Sequence, residues 1–116
     1  MTPRPRVLIA DDDPAICRLI ERILPAEAYE TVSTNDAESA LLALEGERHF
    51  DLVICDFMLP GISGRDLIEQ LRARKETQGM PVVMISGHTR EPSGADIFLD
   101  KPFSISQLRA AVSSLV

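Results

Sequence analysis

Asp51-Leu52-Val53-Ile54-Cys55-Asp56-Phe57-Met58-Leu59-Pro60-Gly61 is the stretch that decides the fold. Leu52 to Cys55 is a short apolar run with β-branched residues, the pattern of a strand buried on both faces. Such a strand is a poor place to bury a carboxylate, so Asp56 is expected at its end. Pro60-Gly61 and Ser63-Gly64 then mark a loop. In open α/β sheets ligands bind outside the carboxyl ends of the strands, so Asp56 falls where such a fold does chemistry. The plainer alternative is a strand-terminal Asp that caps its own loop, and the rest of the chain must decide.

Upstream, Val7-Leu8-Ile9-Ala10 is another apolar run, and it ends in Asp11-Asp12-Asp13. Asp13 before Pro14 predicts a helix start, with an N-cap carboxylate followed by proline in the first turn. Ile16, Leu19, Ile20, Ile23 and Leu24 recur at helical spacing until Pro25. Tyr29 to Ser33 reads as a short strand. Asn35 with Glu38 resembles a capping box for a helix that turns Ala40, Leu41 and Leu44 inward and closes near Gly46.

Downstream, Ser63 can cap a helix bearing Leu67, Ile68 and Leu71, with Arg72, Arg74 and Lys75 in its last turns. Pro81 to Ile85 is a fourth apolar run ending at Ser86, and Ile97-Phe98-Leu99 a fifth, ended by Asp100-Lys101-Pro102. Ser104 with Gln107 is another capping box, opening a helix with Ile105, Leu108, Ala111, Val112 and Leu115. Strands alternating with helices imply an α/β fold, a parallel sheet with helices on both faces.

The totals agree. At 116 residues, 45% of them hydrophobic, the chain reads as one globular domain, 1–116. Aromatics are 4% with no Trp, so the core must be aliphatic. A net charge of −6 disfavours nucleic acid as a direct partner. Cys17 and Cys55 sit in apolar segments without disulfide or zinc spacing, which points to a reducing cytoplasm. No apolar run reaches membrane-spanning length, and the first residues lack the apolar stretch of a signal peptide.

In a parallel sheet the ends of these runs share one edge: Asp11 and Asp12, Asp56, Ser86 and Lys101. Three crowded carboxylates repel unless a cation is bound, and Mg²⁺, a hard ion that keeps waters and few protein ligands, fits best. Lys101 is a point charge suited to a phosphoryl group, and the Ser86 hydroxyl could bind the same anion. Each residue has a plainer reading: Asp13 as a cap, Ser86 as a turn residue, Lys101 as a solvated lysine. Their joint placement at strand ends favours the site.

With these residues assembled, the chain resembles the receiver domain of two-component response regulators. The matching pieces are Val7 to Pro14, Leu52 to Gly61 with Ser63-Gly64, Pro81 to Gly87, and Phe98 to Phe103. The resemblance implies a flavodoxin-like, doubly wound five-stranded parallel sheet in three layers, of strand order 2-1-3-4-5. It implies that Asp56 is the phosphoacceptor and attacks a phosphohistidine on a sensor histidine kinase or a histidine phosphotransfer protein. Asp12 would bind Mg²⁺ (or Mn²⁺) directly and Asp11 largely through water, with Asp56 and the Met58 carbonyl completing the protein ligands. Ser86 and Lys101 would contact the phosphoryl oxygens, and Phe98 falls at the family's switch aromatic. Ser86 moving toward the phosphoryl group would leave space for Phe98 to fill from the sheet edge. Lys101–Pro102 is expected to be cis, as in related receivers.

Two rival readings stand beside this one. Asp11-x-Asp13 after a strand resembles haloacid-dehalogenase-type phosphatases, with Asp11 as nucleophile and Asp13 as acid/base; Pro14 argues instead for Asp13 as a cap. A degenerate receiver that only binds partners need not retain all five polar residues. The expected protein is thus not an enzyme turning over a small substrate. It signals through a downstream protein target as a monomer or weak dimer, away from membranes. With no effector domain after the last helix, a stand-alone receiver is one expectation and a piece of a longer protein the other.

One departure from the family stands out. Gly87 to Asp96 holds Pro92, Gly94 and nothing apolar larger than Ala95, where the family fits a helix of several turns. A helix there would have no face to bury and an interior proline costing about 3 kcal/mol. The family's fourth helix is therefore expected to be short or absent, with the signalling surface around it rebuilt.

Overall fold

A computed structural model describes residues 3–46, 48–87 and 94–116. The elements run β1 (Arg6–Ala10), α1 (Pro14–Ile23), β2 (Glu30–Thr34), α2 (Ala37–Leu44), β3 (Leu52–Asp56), α3 (Gly64–Ala73), β4 (Val82–Ser86), β5 (Ile97–Asp100) and α4 (Ile105–Leu115). The five strands are all parallel, in the order β2-β1-β3-β4-β5. This is the expected flavodoxin-like sheet, with four helices among the described residues.

Strand alternation divides the core in two. Val7, Ile9, Leu52, Ile54, Val83 and Ile85 face α1 and α4, where they meet Ile20, Leu108 and Val112. Leu8, Ala10, Val53, Cys55, Val82 and Met84 face α2 and α3, where they meet Ala40, Leu67, Ile68 and Leu71. Both faces of β3 and β4 are therefore buried, which is why these strands read as unbroken apolar runs. β5, at the sheet edge, is only half-buried, as are Phe98 and its neighbours.

Most caps form where the sequence puts them. Asp13 accepts the Ala15 N–H at 2.9 Å, and Ser63 with Asp66 and Ser104 with Gln107 close full capping boxes. Three expectations need correction. The cap of α2 is Asp36, which accepts the Ser39 N–H at 2.7 Å; Asn35 lies one residue too early, and its amide donates instead to the Asp11 carbonyl just past β1. β2 begins and ends one residue later than the Tyr29–Ser33 run, in register with β1 from Arg6↔Glu30 to Ala10↔Thr34. Leu19 and Ile105, at inward spacing in the sequence, are 40% and 52% exposed. Leu19 sits on the flank of its helix, and Ile105 opens the first turn of α4, before that helix meets the core.

Gly87 and residues 94–96 belong to no helix; the expectation of a short or absent helix also rests on 88–93, which lie outside the described residues. The approach to β5 is well tied. The Arg72 guanidinium on α3 donates to the carbonyls of Gln78 (3.0 Å), Met80 (2.6 Å) and Gly94 (3.4 Å), and to Asp96 Oδ2 (3.4 Å). Asp96 in turn accepts the Val82 N–H at 2.8 Å. The cation thus stands in the last turn of α3 and clasps that helix to the segments that lead into β4 and β5.

Candidate functional site

β1 delivers Asp11 and Asp12, and β3 delivers Asp56, to the same sheet edge because the two strands pair in parallel through Ala10↔Cys55. One carboxylate oxygen from each of the three lies within 4.8 Å of the others. Asp11 and Asp56 are buried, at 1% and 6% exposure, and Asp12 is exposed. Asp56 is the last residue of β3 but is not thereby in water, contrary to the expectation that burial would be avoided. Its Oδ1 accepts the Met58 N–H at 3.4 Å, and Oδ2 lies 3.3 Å from the Lys101 ammonium. Those partners make the burial tolerable.

Lys101 also donates to Asp11 Oδ2 at 3.0 Å, while Asp11 Oδ1 accepts the Asp13 N–H at 2.9 Å. Burial, and after it the charge of Asp11, push the Asp56 carboxyl above the usual carboxylate range; Lys101 and the Met58 N–H offset this in part. For Lys101, burial pulls the pKa down, but the hydrogen bond and charge of Asp11, with the charge of Asp56, outweigh it and hold the ammonium above its ordinary value. Among the described residues the pocket is therefore rich in negative charge, with the Lys101 ammonium across it.

Ser86 ends β4, 2% exposed, opposite Asp100 in register, and its carbonyl accepts the Lys101 N–H at 2.8 Å. The next peptide bond, Lys101–Pro102, is cis, as expected. Phe98 stands beside Met84 and packs on the α2–α3 side of the sheet. Met58, 61% exposed, lies at the mouth.

Two supporting residues escaped the sequence reading. Asn35 Nδ2 donates to the Asp11 carbonyl at 3.2 Å, and the Asp11 N–H donates to the Thr34 carbonyl at 3.1 Å. Only the β2–β1 neighbour relation and its register point to them. Gly64 sits so close that a Cβ there would lie 2.5 Å from the Asp56 carbonyl oxygen and 3.0 Å from Met84. Its need for no side chain is an approach distance, invisible in a linear pattern.

The donor set fits a hard divalent cation. All three groups offer oxygen; Asp56 is raised first by burial and then by the charge of Asp11, and a cation would relieve that second, repulsive part. Asp13 stands aside from it, its carboxylate held by the Ala15 N–H. Chemically, the edge presents a carboxylate oxygen flanked by an ammonium and by further carboxylates suited to a metal.

The family model described as "Response regulator receiver domain" matches residues 7–113. Among curated proteins, the chain is 34% identical to the phosphate regulon transcriptional regulatory protein PhoB of Rhizobium meliloti, over 97% of this chain and 52% of that protein. It is 37% identical to the DNA-binding response regulator MtrA of Mycolicibacterium smegmatis, over 96% and 50%. The chain thus spans about half the length of these relatives. Among solved structures, a putative response regulator from Chloroflexus aurantiacus superposes with a TM-score of 0.89 at 28% identity, covering 97% of this chain and 98% of that one. Chemotaxis response regulator CheY4 of Vibrio cholerae gives 0.89 at 23% identity over 98% and 100%, a likeness of fold.

Proposed function

Because this chain belongs to the response regulator receiver family of two-component systems, we propose that Asp56 is its phosphoacceptor, charged from a phosphohistidine on a sensor kinase or a histidine phosphotransfer protein. The observation that carries this is the Asp56 carboxylate 3.3 Å from Lys101 and clustered with Asp11 and Asp12. A carboxylate oxygen of Asp56 attacks phosphorus, an O–P bond forms as the N–P bond breaks, and the bonding pair leaves on the imidazole nitrogen. The product is an acyl phosphate, later lost to water. Lys101 stabilises charge on the phosphoryl oxygens, and Ser86 contacts the same group. Asp11, Asp12, Asp56 and the Met58 carbonyl would hold Mg²⁺ or Mn²⁺. When bound, that ion neutralises the carboxylates and the phosphoryl oxygens.

On this reading the protein is a phosphoacceptor that assists its own labelling and not a turnover enzyme. Asp13 supports that choice over a phosphatase, since its carboxylate serves as the cap of α1 and not as an acid/base beside Asp11. Signalling runs through a protein target, with Ser86 and Phe98 as the switch pair. We expect no nucleic acid on this domain itself and a monomer or weak dimer; the name of MtrA records DNA binding for a protein twice as long. Among the described residues no helix is long and apolar enough to cross a membrane. The two free, buried thiols suit a cytoplasmic setting.

Intact mass after acetyl phosphate treatment tests the assignment. One phosphoryl group should appear with Mg²⁺, and none in excess chelator or in Asp56→Asn. Labelling that survives either condition refutes it.

A further inference from the structure

The helix α2 reads Ala37-Glu38-Ser39-Ala40-Leu41-Leu42-Ala43-Leu44, apolar around most of its circumference. A helix of that kind belongs in an interior. Yet only one side of it is covered: Ala37 and Ala40 are buried on the sheet, while Leu42 is 62% exposed. Beside Leu42 a groove of about 600 Å³ opens between α2 and α3, with Leu41 and Ile62 in its walls. Pro60 and Gly61 form its upper end, in the loop after Asp56. Single exposed leucines are ordinary, but an exposed leucine lining an open apolar groove is not.

The charges around the groove are uneven. At its far end Glu45 is matched by Arg74, at 2.8 Å. At the loop end stand Asp36 and Glu38, and neither forms an ion pair among the described residues. The N–H of Ser39 holds the Asp36 carboxyl below the usual range, so it is charged. A second copy of this chain would bring its own acidic rim and a net charge of −6 to that surface.

We propose that the α2–α3 groove docks an amphipathic helix of a partner protein, leucine-like side chains seated against Leu41, Leu42 and Ile62 and Lys or Arg side chains at the Asp36–Glu38 end. This is helix-in-groove recognition, with apolar burial supplying affinity and the acidic end setting direction. The surface is separate from the phosphoacceptor pocket, and its use does not depend on the chemistry assigned to Asp56.

The test uses the whole ¹⁵N-labelled chain and a synthetic helical peptide with leucines on one face and lysines on the other. Amide shifts should move in α2, in α3 and at 60–62. Leu42→Ser, checked for an otherwise native spectrum, should weaken binding about tenfold or more, the loss expected for one leucine's burial. The same peptide with glutamates for lysines should also bind at least about tenfold more weakly, and Glu38→Gln should narrow that preference. Shifts centred elsewhere, or a Leu42→Ser protein that binds as well as wild type, would overturn the proposal. Equal affinity for the two peptides would do the same. So would a concentration-dependent dimer of the free protein that Leu42→Ser abolishes, because the groove would then belong to a second copy.

Discussion

Asp56 ends β3 nearly out of contact with water, Asp11 beside it and Lys101 across from it. Its carboxyl is raised, first by burial and then by Asp11, so folding favours the neutral form. Whatever stability that preference contributes is therefore present at low pH and is lost as the pH rises through the folded-state value. Asp56→Asn, neutral at every pH, should melt above wild type at pH 7 in chelator, and the gap should close on acidification. Scanning calorimetry at two pH values checks this; a lower melting point for the variant at pH 7 contradicts it. Mg²⁺ should narrow the gap from the other side, stabilising wild type by about 2.7 kcal/mol at a hundred times its Kd. Beside the acidic trio, Asp13→Asn should keep metal affinity, because Asp13 is a helix cap and Asn caps about as well as Asp. Asp12→Asn should lose it, and calorimetric titration of both variants distinguishes them. The acidic residues were legible because each ends an apolar run. The burial of Asp56 was not, because the ammonium that permits it comes from far along the chain, at Lys101.

Elements obey local chemistry closely, and their misreadings are local too. Asn35 and Asp36 both suit an N-cap; Asp36 takes the role, while the Asn35 amide donates to the carbonyl of Asp11, just past β1. Arg72 illustrates the opposite limit. At a helix end it reads as a dipole partner, but its four acceptors lie in two other segments, which no helical periodicity reveals. Arg72→Ala should cost about 1–2 kcal/mol by freeing the Met80 carbonyl and Asp96, and should speed amide exchange at Val82 and Asp96 before the rest of the sheet. Unchanged exchange there would show the clasp to be idle. On the opposite sheet end, Glu30 gathers Arg6 at 2.6 Å and Arg48 at 3.0 Å. Arg6, then Arg48, holds its carboxyl below the usual range. That contribution is present above the unfolded-state pKa and fades as the pH falls through the lower, folded one. Glu30→Gln should therefore lower the melting point at pH 7 and match wild type in strong acid.

The molecule as a whole is a partition: alternate strand residues feed two cores that do not mix. Apolar runs, helix starts and strand ends sufficed to anticipate a parallel sheet covered on both sides, because both faces of β3 and β4 need apolar cover and helices on each side provide it; the strand order followed from the family resemblance. Close approaches were beyond that reading. Gly64→Ala would force a methyl group against the Asp56 carbonyl and Met84. A cost of about 1–3 kcal/mol is expected, together with slower labelling by acetyl phosphate, since the shift falls on the backbone that carries Asp56. Normal stability with normal labelling would mean that the loop yields elsewhere.

Asp11 and Lys101 touch across a separation of 90 residues. A ribosome makes Asp11 first, then Asp56, and Lys101 last of the three. At about 5–20 residues per second, Asp56 waits some seconds for its ammonium. Until the final strand pairs with β4, a nascent chain holds the acidic trio without its counter-charge. On the proposed chemistry, competence to be labelled therefore arrives only once β5 is made, and all at once. A chain halted before residue 101 should be dark to acetyl phosphate however well its first three strands have formed.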